Sequence, residues 1–322
     1  MAQNFSRRDL LKTAGVAAAA TMLGSTACAT SKATSEPTAA GRKKVLTVAH
    51  ITDIHVKPTP VAEAGMRACL KHINARAERP DVIFNGGDLI MDALGATAEK
   101  TQIQWDLAKK ILSEENTIQI EHCIGNHDIW GWHKEDAKTT GSEPLYGKAW
   151  VLKELNLANR YRSFDRAGWH FIVLDSVQDR GDGGYKPVID EEQFAWLEKD
   201  LAATDPNTPI AMLSHVPIMG VGPYFFKEEI VVNYQFNVIG ALMHQDVHRL
   251  KTLFFQHKNI RLCLSGHVHL LDDCTYNGIR YISNGAVCGN WWSGDFHETK
   301  PGYAIVTLYD DGTADNEYIA YG

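Results

Sequence analysis

Beginning at Val45, short apolar runs alternate with longer stretches in which apolar side chains return every three or four residues. The runs occupy 45–51, 82–84, 118–124, 169–174, 210–213 and 260–264 and are rich in Val and Ile. Runs of this length and composition predict strands covered on both faces. Between them, 61–77, 102–112, 191–203 and 241–257 predict helices. In the third, Phe194, Trp196, Leu197 and Leu201 make a broad apolar face, and Asp190 stands where an N-cap belongs. The tail changes character. Asn277-Gly278 separates 274–276 from 279–282, and Asp311-Gly312 separates 303–309 from 317–320. Each is a two-residue hairpin signal. The polar stretch 131–147 reads as an exposed insertion loop, and Gly181-Asp182-Gly183-Gly184 as a turn. No repeat and no Pro/Gly linker interrupts this pattern, so it predicts one α/β domain over 45–322.

Polar residues at the ends of the runs carry the chemistry. The run 45–51 leads to Asp53-Ile54-His55, and 82–84 leads to Gly86-Gly87-Asp88. The run 118–124 leads to Gly125-Asn126-His127-Asp128, 210–213 to Ser214-His215, and 260–264 to Gly266-His267-Val268-His269. Open α/β sheets bind ligands at the carboxyl ends of their strands. Five such ends here deliver carboxylate, imidazole or amide oxygen, a mixed set that suits Zn, Mn or Fe. Within Asp53/His55 and within His267/His269, a spacing of two predicts side chains on one side of an extended strand end. Glycines at 86, 87, 125 and 266 allow tight turns there.

Composition narrows the class. The chain has 322 residues, 44% hydrophobic and 22% charged, which excludes wholesale disorder, a collagen-like fibre and a polytopic membrane protein. A net charge of -7 argues against a nucleic-acid surface, so no large nucleic acid is expected as a partner. Residues 1–29 read as an address. Ser6-Arg7-Arg8-Asp9-Leu10-Leu11-Lys12 precedes a small apolar run and Ala27-Cys28-Ala29, and the arrangement resembles a twin-arginine export signal. The run is too short to span a bilayer, so no stable membrane span is expected after cleavage. The resemblance implies the twin-arginine export machinery as a partner and a periplasmic or secreted product. Cleavage after Ala29 is the preferred reading, with lipid attachment at Cys28 as its alternative. Loss of these residues, three basic and one acidic, leaves the rest near -9. Residues 30–44 read as a linker. Cys69, Cys123, Cys263, Cys274 and Cys288 are an odd, scattered set without CxxC, so neither a disulfide framework nor a thiolate zinc site is expected.

The order D-x-H, GD, GNHD, H and G-H-x-H resembles that of the calcineurin-like metallophosphoesterases and spans Asp53 to His269. The resemblance implies a β-sandwich flanked by helices with a dinuclear metal site at the carboxyl ends of the strands. It implies one divalent ion on Asp53, His55 and His269, another on Asn126, His215 and His267, and Asp88 bridging them. His127 would be the catalytic histidine, with Asp128 orienting it, although a turn or capping role for Asp128 stays open. The purple acid phosphatases place a tyrosine three residues after the bridging aspartate. Met91 stands there, which speaks against a tyrosinate-bound iron centre. Residues 168–176 loosely resemble the cyclic-nucleotide phosphodiesterase-like branch.

The chemistry so implied is hydrolysis of a small phosphodiester or phosphomonoester by water activated between two cations. His127 would hydrogen-bond the phosphate and protonate the leaving oxygen. The alternative is a non-catalytic metal- or ligand-binding module on the same fold. Elsewhere, His244, His248 and His257 are read as surface or partly buried helix positions. His50, His72, His122 and His170 are read as structural. His133 and His297 fall in loops and are candidates to reach a substrate, and Trp291-Trp292 and Tyr224-Phe225-Phe226 are candidates to wall a pocket, with core packing as the competing role for the aromatics.

Overall fold

The predicted alternation resolves into two sheets, each with helices on its outer face. The computed structural model describes residues 41–227 and 230–322. In chain order, β1 (Lys44–Ile51), α1 (Pro60–Asn74), β2 (Val82–Asn85), α2 (Ala98–Glu115) and β3 (Ile120–His122) come first. They are followed by α3 (Lys134–Ala137), α4 (Lys148–Glu154), β4 (Arg162–Arg166), β5 (Trp169–Val173), β6 (Val177–Asp179) and β7 (Tyr185–Pro187). Next come α5 (Glu191–Ala203), β8 (Ile210–Leu213), β9 (Val231–Val232), β10 (Gln235–Phe236), α6 (Val247–Gln256) and β11 (Ile260–Ser265). The chain closes with β12 (Asp272–Tyr276), β13 (Ile279–Ser283), β14 (Gly302–Tyr309) and β15 (Ala314–Ala320).

One sheet has the order β15-β14-β1-β2-β3 and the other β12-β13-β11-β8-β5-β4, while β6-β7 and β9-β10 are two-stranded ribbons. Parallel pairs β1-β2, β2-β3, β5-β8, β8-β11 and β11-β13 make the interiors. Antiparallel hairpins make the margins. Period two explains the layering. In β1, Leu46 and Val48 face the inter-sheet core with Phe84, Phe171, Leu213, Leu264 and Val306. Ala49 and Ile51 face the other way, onto Met66, Leu70 and Ile73 of α1 and Trp105, Ala108 and Ile111 of α2. The second sheet repeats this, with Ile172, Met212 and Cys263 against Phe194, Leu197 and Leu201 of α5 and Leu250, Leu253 and Phe254 of α6. Both faces are therefore buried, which is why these strands read as continuous apolar runs. The expected α/β sandwich flanked by helices is the fold.

Local chemistry matches at several points. Asp190 caps α5 by accepting from Gln193 N. Asn277 and Gly278 both have positive φ, as a tight hairpin turn requires. Three expectations change, and one hairpin has no sequence signal. The body starts before position 45: Lys44 is in β1, Lys43 N donates to Asp310, and Arg42 pairs with Asp315. The stretch 131–147 is not wholly exposed, because Trp132, Ala137 and Thr139 are buried. The helix expected over 241–257 begins only at Val247, so His244 lies outside it, buried and bonded to Asp246 and Ser214. The hairpin β4-β5 has a single apolar residue in β4, Phe164, among four polar ones and an Ala167-Gly168 turn, too little for an apolar run. His170 is held there between Asp165 and Asp200, the structural role expected of it. The proposed address, its cleavage point and Cys28 lie outside the described residues. Among the described residues no helix is long and apolar enough to cross a membrane.

Candidate metal centre

Strands β1, β2, β8 and β11 all end at one edge of the sandwich, and each hands a polar segment to that edge. Segment 53–56 runs beside 87–90: Asp53 N donates to Gly87 O, His55 N to Asp88 O and Val56 N to Leu89 O. Asp53, His55, Asp88, His267 and His269 all have positive φ. Such backbone costs about 1–3 kcal/mol per non-glycine residue and persists only where its surroundings enforce it. The twofold spacing of the two pairs therefore converges through left-handed backbone, not through the pleat of an extended strand as expected.

Seven side chains meet in two adjoining groups. In the first, His269 Nε2 lies 3.4 Å from Asp53 Oδ1 and 3.2 Å from His55 Nε2. His55 Nε2 is also 3.6 Å from Asp88 Oδ2. In the second, His215 Nε2 lies 3.1 Å from Asn126 Oδ1, 3.2 Å from His267 Nδ1 and 3.2 Å from Asp88 Oδ2. Asp88 Oδ2 belongs to both groups. All are buried except His267, which is partly exposed.

The protonation pattern fits cations. His269 Nδ1, His215 Nδ1 and His267 Nε2 each face a backbone carbonyl, on Gly289, Gly86 and Ala241. A ring that donates there presents its other nitrogen as a lone pair, which is how metal-ligating histidines are oriented. For His269 and His215 that nitrogen faces carboxylate or amide oxygen, which is an acceptor too, and for His267 it faces His215 Nε2. Asp53 Oδ1 is buried without a hydrogen-bond partner. Positive charge is demanded in each group. Burial lowers the His215 pKa, but Asp88 outweighs it and raises the group to about 9. Burial also opposes charge on His269, and Asp53 raises it well above the ordinary value. His55 and His267 are pushed down to about 3 by burial and stay neutral. The residues thus fit one positive charge per group, which divalent ions would satisfy with nitrogen and oxygen ligands.

His127 lies beside the groups. Its ring stands edge-on to His55 at 4.7 Å, its N donates to Asp88 Oδ1 at 2.7 Å, and its side chain is 30% exposed. Asp128 does not orient it. Asp128 accepts from the backbone N–H groups of Asp88, Leu89, Ile90 and Gly125, so the carboxylate braces the loop that carries Asp88. Burial and Asp88 push its pKa up to about 7, while those donors work the other way. The carboxylate nearest the His127 ring is Asp92, with Oδ1 4.0 Å from Nδ1. Sequence position next to a histidine carries no information on which way a side chain turns.

A Cβ at Gly125 would overlap both the backbone N and Oδ1 of Asp88. Gly125→Ala is therefore expected to cost about 1–3 kcal/mol in stability and to lower cation content. Thermal unfolding and elemental analysis measure the two. An unchanged cation content would show that this approach does not position Asp88.

Several neighbours had weaker or no sequence signals. Trp291 stacks on His269 with ring centroids 4.5 Å apart, and Trp292 Nε1 donates to His55 O. Trp291 thus walls the site, whereas Trp292 packs against the core beside Gly65. Tyr185 Oη is 3.3 Å from His267 Nε2, placed by the β6-β7 ribbon whose glycine loop reads only as a turn. Cys288 can join His55 and His269 around a metal, and nothing in its spacing marks it. His133 pairs with Asp136, and Tyr224 packs on Phe236. His297 packs on its neighbour Phe296, whose ring in turn lies 5.7 Å from that of His269. Met91 N donates to Val56 O, and its side chain lines a cavity beside the site.

Comparison with known proteins places this geometry. Residues 4–24 match the twin-arginine translocation pathway signal sequence, which marks the chain for export. A 3',5'-cyclic-nucleotide phosphodiesterase of Nostoc sp. is 24% identical, over 84% of this chain and 91% of the relative. Purple acid phosphatase 22 of Arabidopsis thaliana is 30% identical, over 47% of this chain and 32% of the relative. The fold is similar to that of a dimetal phosphatase from Danio rerio, at TM-score 0.57 and 13% identity, covering 87% of this chain and all of that one. It is also similar to GAP50 of Plasmodium, titled the anchor in the inner membrane complex, at TM-score 0.52 and 16% identity, covering 87% of this chain and 85% of that one. The calcineurin-like phosphoesterase family matches residues 46–271, the span that holds all five motifs, and the chain belongs to that family.

Proposed function

We propose that this chain is an exported, periplasmic or secreted hydrolase that cleaves a small phosphodiester or phosphomonoester at a two-cation centre. The observation that carries the reading is the meeting of seven buried or partly buried N and O donors in two groups that share Asp88 Oδ2, with ring nitrogens facing carboxylate and amide oxygens. Asp53, His55 and His269 would hold one divalent ion, Asn126, His215 and His267 the other, and Asp88 both. Bound there, two such ions supply Lewis acidity toward phosphate oxygens and lower the pKa of a water. The chain's own residues do the rest. Strained backbone and the carbonyls of Gly86, Ala241 and Gly289 hold the donors in place before substrate arrives. His127, beside the centre and partly open to solvent, can hydrogen-bond the phosphate and give its proton to the leaving oxygen. A binding module that merely kept the fold would leave that half-open ring without a role.

The test is metal analysis of the purified exported protein together with an assay of mono-, di- and cyclic phosphoesters. Two divalent ions per chain and turnover of at least one ester class are expected. Two bound ions with no turnover of any ester would replace this reading by the binding module.

A further inference from the structure

The segments that carry His55 and Asp88 do not end at the centre. They continue side by side as a short parallel bridge, Val56 against Ile90, and Met91 N then donates to Val56 O. The next residues outward, Lys57 and Pro58 on one segment and Met91 and Asp92 on the other, open into a cavity of about 410 Å³. Gly95, Ala96, Lys100, Ile103 and Gln104, at the amino end of α2, complete it. Its size is that of a small-molecule site. His127 stands between cavity and centre, with its ring 4.7 Å from that of His55 and its Nδ1 4.0 Å from Asp92 Oδ1.

The lining has a definite character. Met91, Pro58, Ala96 and Ile103 are apolar. Lys57 is partly exposed and Lys100 exposed, and among the described residues neither has a carboxylate within 4.0 Å. Gln104 is not available, because its amide is spent on the backbone N and O of Asp92. Asp92 is the one acid in the lining, and its Oδ1 is turned to Gly95 N and His127. Asp136, close to Gly95, is paired with His133. Two lysines without a carboxylate partner among the described residues, against one acid and beside four apolar residues, fit an organic anion.

We propose that this cavity is the leaving-group subsite, and that it selects phosphoesters whose leaving alcohol has an apolar body and a negative charge of its own. The inference rests on the phosphoesterase reading. If His127 protonates the leaving oxygen, the group attached to that oxygen extends past His127, and this cavity is what lies there. Hydrolysis then balances simply. Water adds to phosphorus, the P–O bond to the leaving oxygen breaks, and that oxygen takes a proton and departs as the acidic alcohol. Lys57 and Lys100 would hold its carboxylate or phosphate, and Met91 and Ile103 its body.

The test compares 3-carboxyphenyl and 3-carbamoylphenyl methyl phosphate, near-isosteres that differ in leaving-group charge, and the corresponding monoesters if the enzyme prefers those. The ratio of their kcat/KM values is measured in wild type and in the Lys57→Met/Lys100→Met double variant, so that differences in intrinsic reactivity cancel. Calorimetric binding of 3-hydroxybenzoate is measured in parallel, and thermal unfolding checks that the variant folds. The ratio is expected to fall about five- to tenfold in the variant, with a matching loss of hydroxybenzoate affinity. An unchanged ratio with unchanged affinity overturns the subsite. If wild type cleaves no ester at all, the phosphoesterase reading fails, and lysine-dependent hydroxybenzoate binding still decides whether the cavity is an organic-anion site.

Discussion

Replacing Asp88 by Asn is expected to lower cation occupancy in both groups at once and to reduce turnover by at least about 10²–10³-fold. Asp88 Oδ2 lies 3.2 Å from His215 Nε2 and 3.6 Å from His55 Nε2, so one oxygen serves both groups. Its other oxygen accepts from His127 N, and its own N donates to Asp128, which keep the side chain from turning away. Asparagine keeps the shape but removes a buried negative charge and can place N–H groups where only lone pairs fit. The protein should still fold, because no core side chain changes. Elemental analysis, titration of the apoprotein with divalent ions and steady-state kinetics measure the effect. Loss of a single ion, with the second retained at wild-type affinity, would show that Asp88 serves one group and would rule out its bridging role.

His127→Ala is expected to behave in the opposite sense. Two ions should remain, because the seven donors supply both groups without His127, although its ring lies close enough to His55 and Asp88 to join one. Turnover of an ester with a poor leaving group should fall by about 10²–10⁴-fold, the usual worth of a positioned general acid. An ester of nitrophenol, whose leaving oxygen needs no proton, should lose far less. Equal losses for the two esters would remove the acid role and leave His127 as a phosphate contact. Because Asp128 braces the Asp88 loop and does not touch His127, Asp128→Asn should disturb cation content before it disturbs leaving-group dependence.

Much of the site is legible before any coordinates. Each of the five motifs follows an apolar run, and a run buried on both faces must end at the rim of a sheet, where its next polar residues are delivered. That reasoning places Asp53, His55, Asp88, Asn126, His215, His267 and His269 correctly at one edge. The neighbours are less legible, for a physical reason. Tyr185 reaches His267 from a ribbon with no apolar period, and Cys288 lies under the centre on an irregular segment. The β4-β5 hairpin escapes notice because Arg162–Arg166, polar apart from Phe164, sits at the margin of its sheet, where one side of the ladder is open. His244 is buried by a turn that precedes α6, not by a helix face.

The sequence by itself determined the layered α/β architecture, the export signal, the family and which polar residues stand at the strand ends. These depend on local order: hydrophobic period, turn chemistry and the residue types at run ends. Only the tertiary structure decided that Asp128 serves the backbone of Asp88 and not the ring of His127, that Met91 lines a cavity beside the centre, and that two lysines, unpaired among the described residues, line that cavity. Side-chain direction and the contents of a cavity depend on which distant segments pack together. The local sequence around Asp128, Met91 or Lys57 holds no record of that packing.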